Sequence, residues 1–138
     1  MKRDSASDQW LSISLPDSPN GLSLFTIDEM DNLYTFVGGR IFVSSNDGVS
    51  WNPKFRFAGE SMYSLLYNNR LIASFGDESG WFGNNYGVAV SDDQGMTWQW
   101  SNAGLPPKFA VALRLAKSGE NTYLGTNAAG VFKSTNFG

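Results

Sequence analysis

A short motif recurs along this chain at a spacing that few folds can use. Residues 44–51 read SSNDGVSW, and residues 91–98, which follow 47 positions later, read SDDQGMTW. A third copy, STNFG, begins at Ser134 and reaches Gly138. Self-similarity at a fixed period of about 20 to 50 residues is typical of folds that stack copies of one unit. The chain is therefore expected to repeat one supersecondary unit.

The positions shared by the copies predict a self-bonded turn followed by an anchored strand. An Asn or Asp side chain can accept bonds from backbone N–H groups nearby, and Gly takes a positive φ at little steric cost. A hydroxyl residue and a Trp then open the next strand, where the large ring can be buried between sheets. We expect a structural role for the residues at these positions, which are Ser44, Asn46, Gly48, Ser50, Trp51, Ser91, Asp93, Gly95, Thr97, Trp98, Ser134, Asn136 and Gly138.

These residues resemble the Asp-box, or BNR, repeat, whose pattern is S-x-D-x-G-x-T-W. The repeat occurs in sialidases, xyloglucanase-type glycoside hydrolases, sortilin-like receptors and a photosystem assembly factor. The resemblance implies a β-propeller in which the turn joins the third and fourth strands of a blade. Asn46 and Asn136 replace the Asp here, and Ser50 replaces the Thr. Because Asn can accept the same bonds as Asp, we expect little structural consequence.

Apolar runs bounded by turn residues predict four short strands in each repeat, named a to d. The predicted fold is all-β, a partial β-propeller of about three four-stranded antiparallel blades in the strand order d, abcd, abcd, abc. Within a single domain over 1–138, residues 1–9 are predicted to be a flexible end and 10–15 a strand d that completes another blade. The predicted blades cover 21–56, 61–102 and 109–138, the last without its strand d.

The two ends of the predicted fold are complementary. Placing STNFG before Asp8-Gln9-Trp10 gives STNFGDQW, which restores the motif with Gln in place of Thr and Trp10 as the anchor. Three blades are too few for a closed propeller of ~4–8 blades. We therefore expect a second copy to close a six-bladed ring as a homodimer, with Trp10 as the inter-chain closure residue. The rival interpretation is a piece of a longer propeller whose two ends fall within one repeat.

Composition excludes several kinds of chemistry and partner. The chain contains no Cys and no His, which removes thiol nucleophiles, disulfides, thiolate zinc sites and imidazole mechanisms. The net charge of −3 without a Lys/Arg cluster argues against nucleic acid as a partner. No apolar run approaches the ~20 residues of a membrane span, and no cofactor or metal is expected. The resemblance suggests a secreted or extracytoplasmic protein, although no signal peptide precedes the repeats.

One predicted loop is a candidate ligand site. Blade two inserts Gly76–Tyr86, GDESGWFGNNY, between strands b and c, whereas blade one crosses there with Gly38-Gly39. Aromatic faces beside carboxylates and amides suit contact with a sugar or a peptide. The alternative is that the rings fold back over the blade or pack against a neighbouring chain. The candidate ligand-binding residues are Asp77, Glu78, Trp81, Phe82 and Tyr86.

The sequence favours binding over catalysis. The Arg-Ile-Pro signature of sialidases is absent, because Arg40-Ile41 is followed by Phe42. No catalytic residue can be carried over from the resemblance, so we expect a non-catalytic propeller that binds a glycan or a protein, or acts as a scaffold. One alternative is a glycoside hydrolase, sialidase-like or xyloglucanase-like, or a fragment of one. It would need paired carboxylates, for which Asp77 and Asp17 are the candidates although nothing in the sequence pairs them. The other is a self-assembling structural half-propeller without a ligand.

Overall fold

The fold consists of β-strands joined by short turns. The computed structural model describes residues 2–4, 9–16, 24–57, 62–76, 87–106, 112–127 and 129–137. Every regular element in these ranges is a strand, which confirms the predicted all-β class. None of the described segments is a helix long and apolar enough to cross a membrane.

The chain begins with a two-stranded hairpin that the sequence does not predict. β1 (Lys2–Asp4) pairs antiparallel with β2 (Gln9–Leu11), and residues 12–16 follow without regular structure. A flexible end is expected over 1–9 and a strand over 10–15. In the structure the strand covers Gln9–Leu11 and pairs with Lys2–Asp4, which precedes it in the chain. Pairing satisfies backbone N–H and C=O groups that a lone strand would leave open.

Three antiparallel meanders follow the hairpin and form the blades. Blade one contains β3 (Leu24–Ile27), β4 (Leu33–Val37), β5 (Arg40–Ser44) and β6 (Asn52–Arg56). Blade two contains β7 (Met62–Tyr67), β8 (Leu71–Phe75), β9 (Gly87–Ser91) and β10 (Gln99–Trp100). Blade three has three strands among the described residues, β11 (Ala112–Ser118), β12 (Asn121–Thr126) and β13 (Val131–Ser134).

The two central strands of the middle blade are buried on both faces. Every residue of β8 and β9 is buried, and side chains alternate between the two faces of a strand. Leu71 and Phe75 join a core with Ile41 of blade one, whereas Ile72 joins a second core with Leu124 of blade three. Blade two therefore supplies one wall of each interblade core.

The first strands of successive blades lie side by side. Polar bonds bridge them, because the Tyr67 N–H donates to Thr26 Oγ1 at 2.9 Å and the Leu115 N–H donates to Ser64 Oγ at 3.3 Å. The buried Asn68 adds a bond from its Nδ2 to Thr122 Oγ1 at 3.0 Å. Adjacent first strands with sheets radiating outward are the arrangement of propeller blades.

Truncating Phe75 tests the core between blades one and two. Its side chain is 0% exposed, and its ring centroid lies 4.9 Å from that of Phe57 and 5.4 Å from that of Trp100. We expect Phe75→Ala to lower the free energy of unfolding by about 3–5 kcal/mol, because it removes buried apolar surface and leaves a cavity. Val49→Ala, at a side chain that is 83% exposed, is the control and should change it by under about 0.5 kcal/mol. Urea denaturation measures both variants, and indistinguishable stabilities would contradict this packing.

Candidate functional site

The predicted ligand-binding loop lies outside the described residues. Asp77, Glu78, Trp81, Phe82 and Tyr86 all fall between Gly76 and Gly87, where the description resumes. Their role therefore stays a prediction. Trp10, the predicted closure residue, is described and has a side chain that is 71% exposed.

The first two motif copies form the same hydrogen-bonded turn. The Ser44 hydroxyl accepts from the Gly48 N–H at 2.9 Å, and Ser91 accepts from Gly95 in the same way at 2.9 Å. The side chain at the third motif position accepts a hydrogen bond from the backbone N–H four residues later. The Ser50 N–H donates to Asn46 Oδ1 at 2.9 Å, and the Thr97 N–H donates to Asp93 Oδ1 at 2.8 Å. The φ angles of 80° at Gly48 and 83° at Gly95 lie in the left-handed region that suits Gly.

The Asn and Asp versions of the turn differ in which group donates the bond between the side chains at the third and seventh motif positions. The Thr97 hydroxyl donates to Asp93 Oδ2 at 2.5 Å. In the first copy the direction reverses, because Asn46 Nδ2 donates to Ser50 Oγ at 2.9 Å. The side chains at the third and seventh motif positions are bonded in both turns, since an amide can both accept and donate.

The third copy begins the same turn. The Ser134 hydroxyl donates to Asn136 Oδ1 at 2.5 Å, as Ser44 donates to Asn46 at 2.9 Å. Phe137 has a φ of 65°, close to the 57° of Asp47 and the 59° of Gln94 at the same motif position. The conformation of the described part therefore matches the other two copies.

The second turn is inserted between blades one and two. A Cβ at Gly95 would lie 3.1 Å from Ile41 Cγ2 and 3.4 Å from Leu71 Cδ1. The Gly95 carbonyl accepts from the Phe55 N–H at 3.3 Å and from Trp98 Nε1 at 3.2 Å. The Trp98 ring then lies 5.5 Å from the Phe57 ring, centroid to centroid, and covers the junction.

Strand register identifies the corresponding positions at the junction of blades two and three. The first Ser of each motif pairs across the sheet with Leu33, Leu71 and Thr122 respectively. Counting from these serines, Val88 corresponds to Ile41 and Thr122 to Leu71. The offset of 47 residues between the first two motif copies places Gly104 at the sequence position that Phe57 has in blade one.

A groove of about 400 Å³ occupies this second junction. Its lining includes Val88, Thr122 and Gly104, the counterparts of the residues around the second turn and Trp98. A smaller cavity of about 110 Å³ lies beside Phe57 and Trp98 at the first junction. The groove has apolar walls, which are formed by Val88, Leu105, Leu115, Leu124 and Phe132. Its polar rim lies at the third turn and consists of Ser134, Thr135 and Asn136.

The sequence does not predict this groove, although it contains a usable signal. Ser134 and Asn136 are identified from the motif, but Leu105, Leu124 and Phe132 resemble ordinary core residues. When the repeats are aligned by their motif serines, residues 104–105 and 122–124 take the sequence positions that surround Trp98 at the first junction. The arrangement can hold a large apolar side chain and hydrogen-bond its backbone.

The Asp93 carboxylate makes the second turn sensitive to pH. Hydrogen bonds from the Thr97 hydroxyl and then from the Thr97 N–H lower the pKa of Asp93 from 3.8 to about 2. A carboxyl whose pKa is lower in the folded chain stabilises that state above its unfolded pKa. The contribution is lost as the pH falls from about 4 toward 2.

An NMR titration tests this difference between the two turns. We expect the Thr97 amide proton shift to titrate with a midpoint at about pH 2. The Ser50 amide, bound to the neutral Asn46, should show no such step and is the internal control. A midpoint at the ordinary 3.8, or parallel changes at both amides, would contradict the bonding described.

Comparison with known proteins supports the fold. No protein-family model matches the sequence, and no curated protein matches it. A solved structure described as "YCF48 bound to D1 peptide" superposes with a TM-score of 0.59 at 14% identity. The match covers 83% of this chain and 36% of that one, so the chain spans about a third of the length of that neighbour. At this identity the likeness shows the fold alone, which is that of a partial β-propeller.

Proposed function

We propose that the chain is a non-catalytic Asp-box propeller module that binds an extended protein segment in the groove between blades two and three. The observation that carries the proposal is the groove of about 400 Å³ beside the outermost described strand of blade three. A groove at an open strand edge can take both the backbone and the side chains of a partner.

The edge of β13 supplies the backbone contacts. Among the described residues β13 pairs with β12 alone, whereas β5 and β9 at the equivalent position each carry a fourth strand. Within the part of the chain that the structure describes, the outer side of β13 at residues 131–133 carries no further strand and presents backbone N–H and C=O groups. An extended segment can satisfy them by adding as a strand, which gives affinity without dictating sequence.

The groove supplies side-chain selectivity. Leu105, Leu115 and Phe132 are partly buried and pack on the core shared by blades two and three. A large aromatic ring buries about 150–250 Å² and suits such a site better than a small aliphatic one. We therefore assign the groove to an extended segment with one Trp or another large ring at the register that reaches Leu105.

The structural neighbour agrees with this class of ligand. Its description names a bound peptide. A peptide-binding role also fits a chain for which no catalytic residue can be assigned. The candidate ligand-binding residues of the 77–86 loop lie outside the described residues and stay a prediction.

Binding of synthetic strands tests the proposal. The probe is a labelled peptide of alternating Thr and Val with one central Trp, and its matched control has Ala in place of Trp. We expect the Trp peptide to bind at least about tenfold more tightly, a difference of about 1.4 kcal/mol. Fluorescence anisotropy with dilute full-length chain measures both, and dilution keeps self-association out of the measurement.

Two variants locate the binding site. Leu105→Arg puts a charge into the groove and should abolish the preference for the Trp peptide. Met30→Ala, at a side chain 78% exposed in a turn of blade one, should leave it unchanged. Circular dichroism establishes that both variants keep the fold. Equal binding to both variants, or no preference for Trp, would rule out the groove as the site.

A further inference from the structure

We infer that the cavity at the junction of blades one and two is a binding site for a trimethylammonium group, the quaternary cation that choline and trimethylated lysine carry. The cavity lies beside Phe57 and Trp98 and is separate from the groove between blades two and three. The inference therefore concerns a second ligand and does not depend on the proposed function.

Aromatic rings form most of the cavity wall. Blade one supplies Phe55 and Phe57, and blade two supplies Trp98 and Trp100. The electron-rich face of an aromatic ring attracts a cation that lies within about 6 Å of the ring centroid, and several such rings together form the cages that hold quaternary ammonium groups. The composition of this wall therefore suits a cationic group.

The rings of the wall are steeply inclined to one another. The centroids of Phe55 and Phe57 lie 4.8 Å apart with an angle of 67° between the ring planes. Those of Phe57 and Trp98 lie 5.5 Å apart with an angle of 63°. Inclined rings present their faces in different directions and can surround a compact group, whereas a parallel stack would offer one face alone.

Backbone bonds and packing hold these residues in place before any ligand binds. The Gly95 carbonyl accepts from the Phe55 N–H at 3.3 Å and from Trp98 Nε1 at 3.2 Å, so one acceptor fixes a residue of each blade. The Trp100 ring packs on Phe75, which is fully buried, with 5.4 Å between the ring centroids. A preformed wall reduces the entropy that binding must spend on ordering side chains.

The size of the cavity limits what can enter. Its volume is about 110 Å³, and an apolar cavity of about 150 Å³ is known to hold benzene. The side chains of Phe55 and Trp100 are 37% and 45% exposed, whereas that of Phe57 is 7% exposed. The site therefore suits one compact head group, and the rest of the ligand can extend past Phe55 and Trp100 to the surface.

The polar groups of the wall favour a quaternary ammonium over a primary one. Among the described lining residues Gln99 has the one polar side chain, and none is charged. A lysine ammonium carries three N–H donors, which lose their water partners on entry and need acceptors. A trimethylammonium group carries the positive charge without any N–H donor. The net charge of −3 on the chain further favours a cation.

An NMR titration of the full chain with choline tests the inference. We expect the indole N–H signals of Trp98 and Trp100 to shift, and those of Trp10 and Trp51 to stay in place. The matched control ligand is the neutral alcohol in which a carbon atom replaces the choline nitrogen, since it has the same shape without the charge. We expect choline to bind at least about fivefold more tightly than this alcohol.

Two variants assign the binding to the rings. Phe55→Leu and Trp100→Leu each keep an apolar side chain but remove one aromatic face. Each should weaken choline binding at least about threefold and change the affinity for the neutral alcohol by less than about twofold. Phe25→Leu, the same substitution at a ring of β3 that is 61% exposed and outside the cavity, should change neither affinity. Circular dichroism establishes which variants keep the fold.

The unchanged chain alone can overturn the inference. Absence of choline binding, equal affinity for choline and the neutral alcohol, or shifts at Trp10 and Trp51 in place of Trp98 and Trp100 would each do so. A short peptide with one trimethyllysine, compared with choline, distinguishes a modified protein from a small molecule as the source of the cation. If the same peptide with unmodified lysine bound as tightly as the trimethylated one, the assignment to a quaternary ammonium would be wrong.

Discussion

The hydrogen bonds inside the Ser-x-Asx turns determine how the blades fit together. Ser91 and Asp93 hold Gly95 with a φ of 83°, a conformation that L side chains rarely adopt. Without a Cβ, Gly95 comes against Ile41 and offers its carbonyl to Phe55 and Trp98. One turn therefore links two strands of its own blade and joins that blade to its neighbour.

The same arrangement explains where the chain can bind something. At each junction a turn and its Trp approach the preceding blade, as Trp51 does with Ser14 and Trp98 with Phe57. The third turn has its Ser–Asn bond but borders a groove of about 400 Å³. The candidate site is thus an interblade position of the repeat, and the proposed preference for a Trp is based on the other two junctions.

The repeat made the fold class predictable, because turn, Gly and Trp positions are local properties of the sequence. In the structure Asn46 accepts from the Ser50 N–H as Asp93 accepts from the Thr97 N–H. The hairpin of Lys2–Asp4 with Gln9–Leu11 was not predictable, because three-residue strands carry no clear alternation. The groove was missed because it arises from packing between segments far apart in sequence. The loop at 77–86 is outside the described residues, so its predicted role is untouched.

A crystal structure of the full chain at high concentration tests the central claim most directly, namely that each motif turn and its Trp complete an interblade junction. We expect the Gly95 carbonyl to accept from both the Phe55 N–H and Trp98 Nε1, with the Trp98 ring packed against Phe57. A Gly95 turn withdrawn from blade one, with the Trp98 ring in solvent, would contradict the claim.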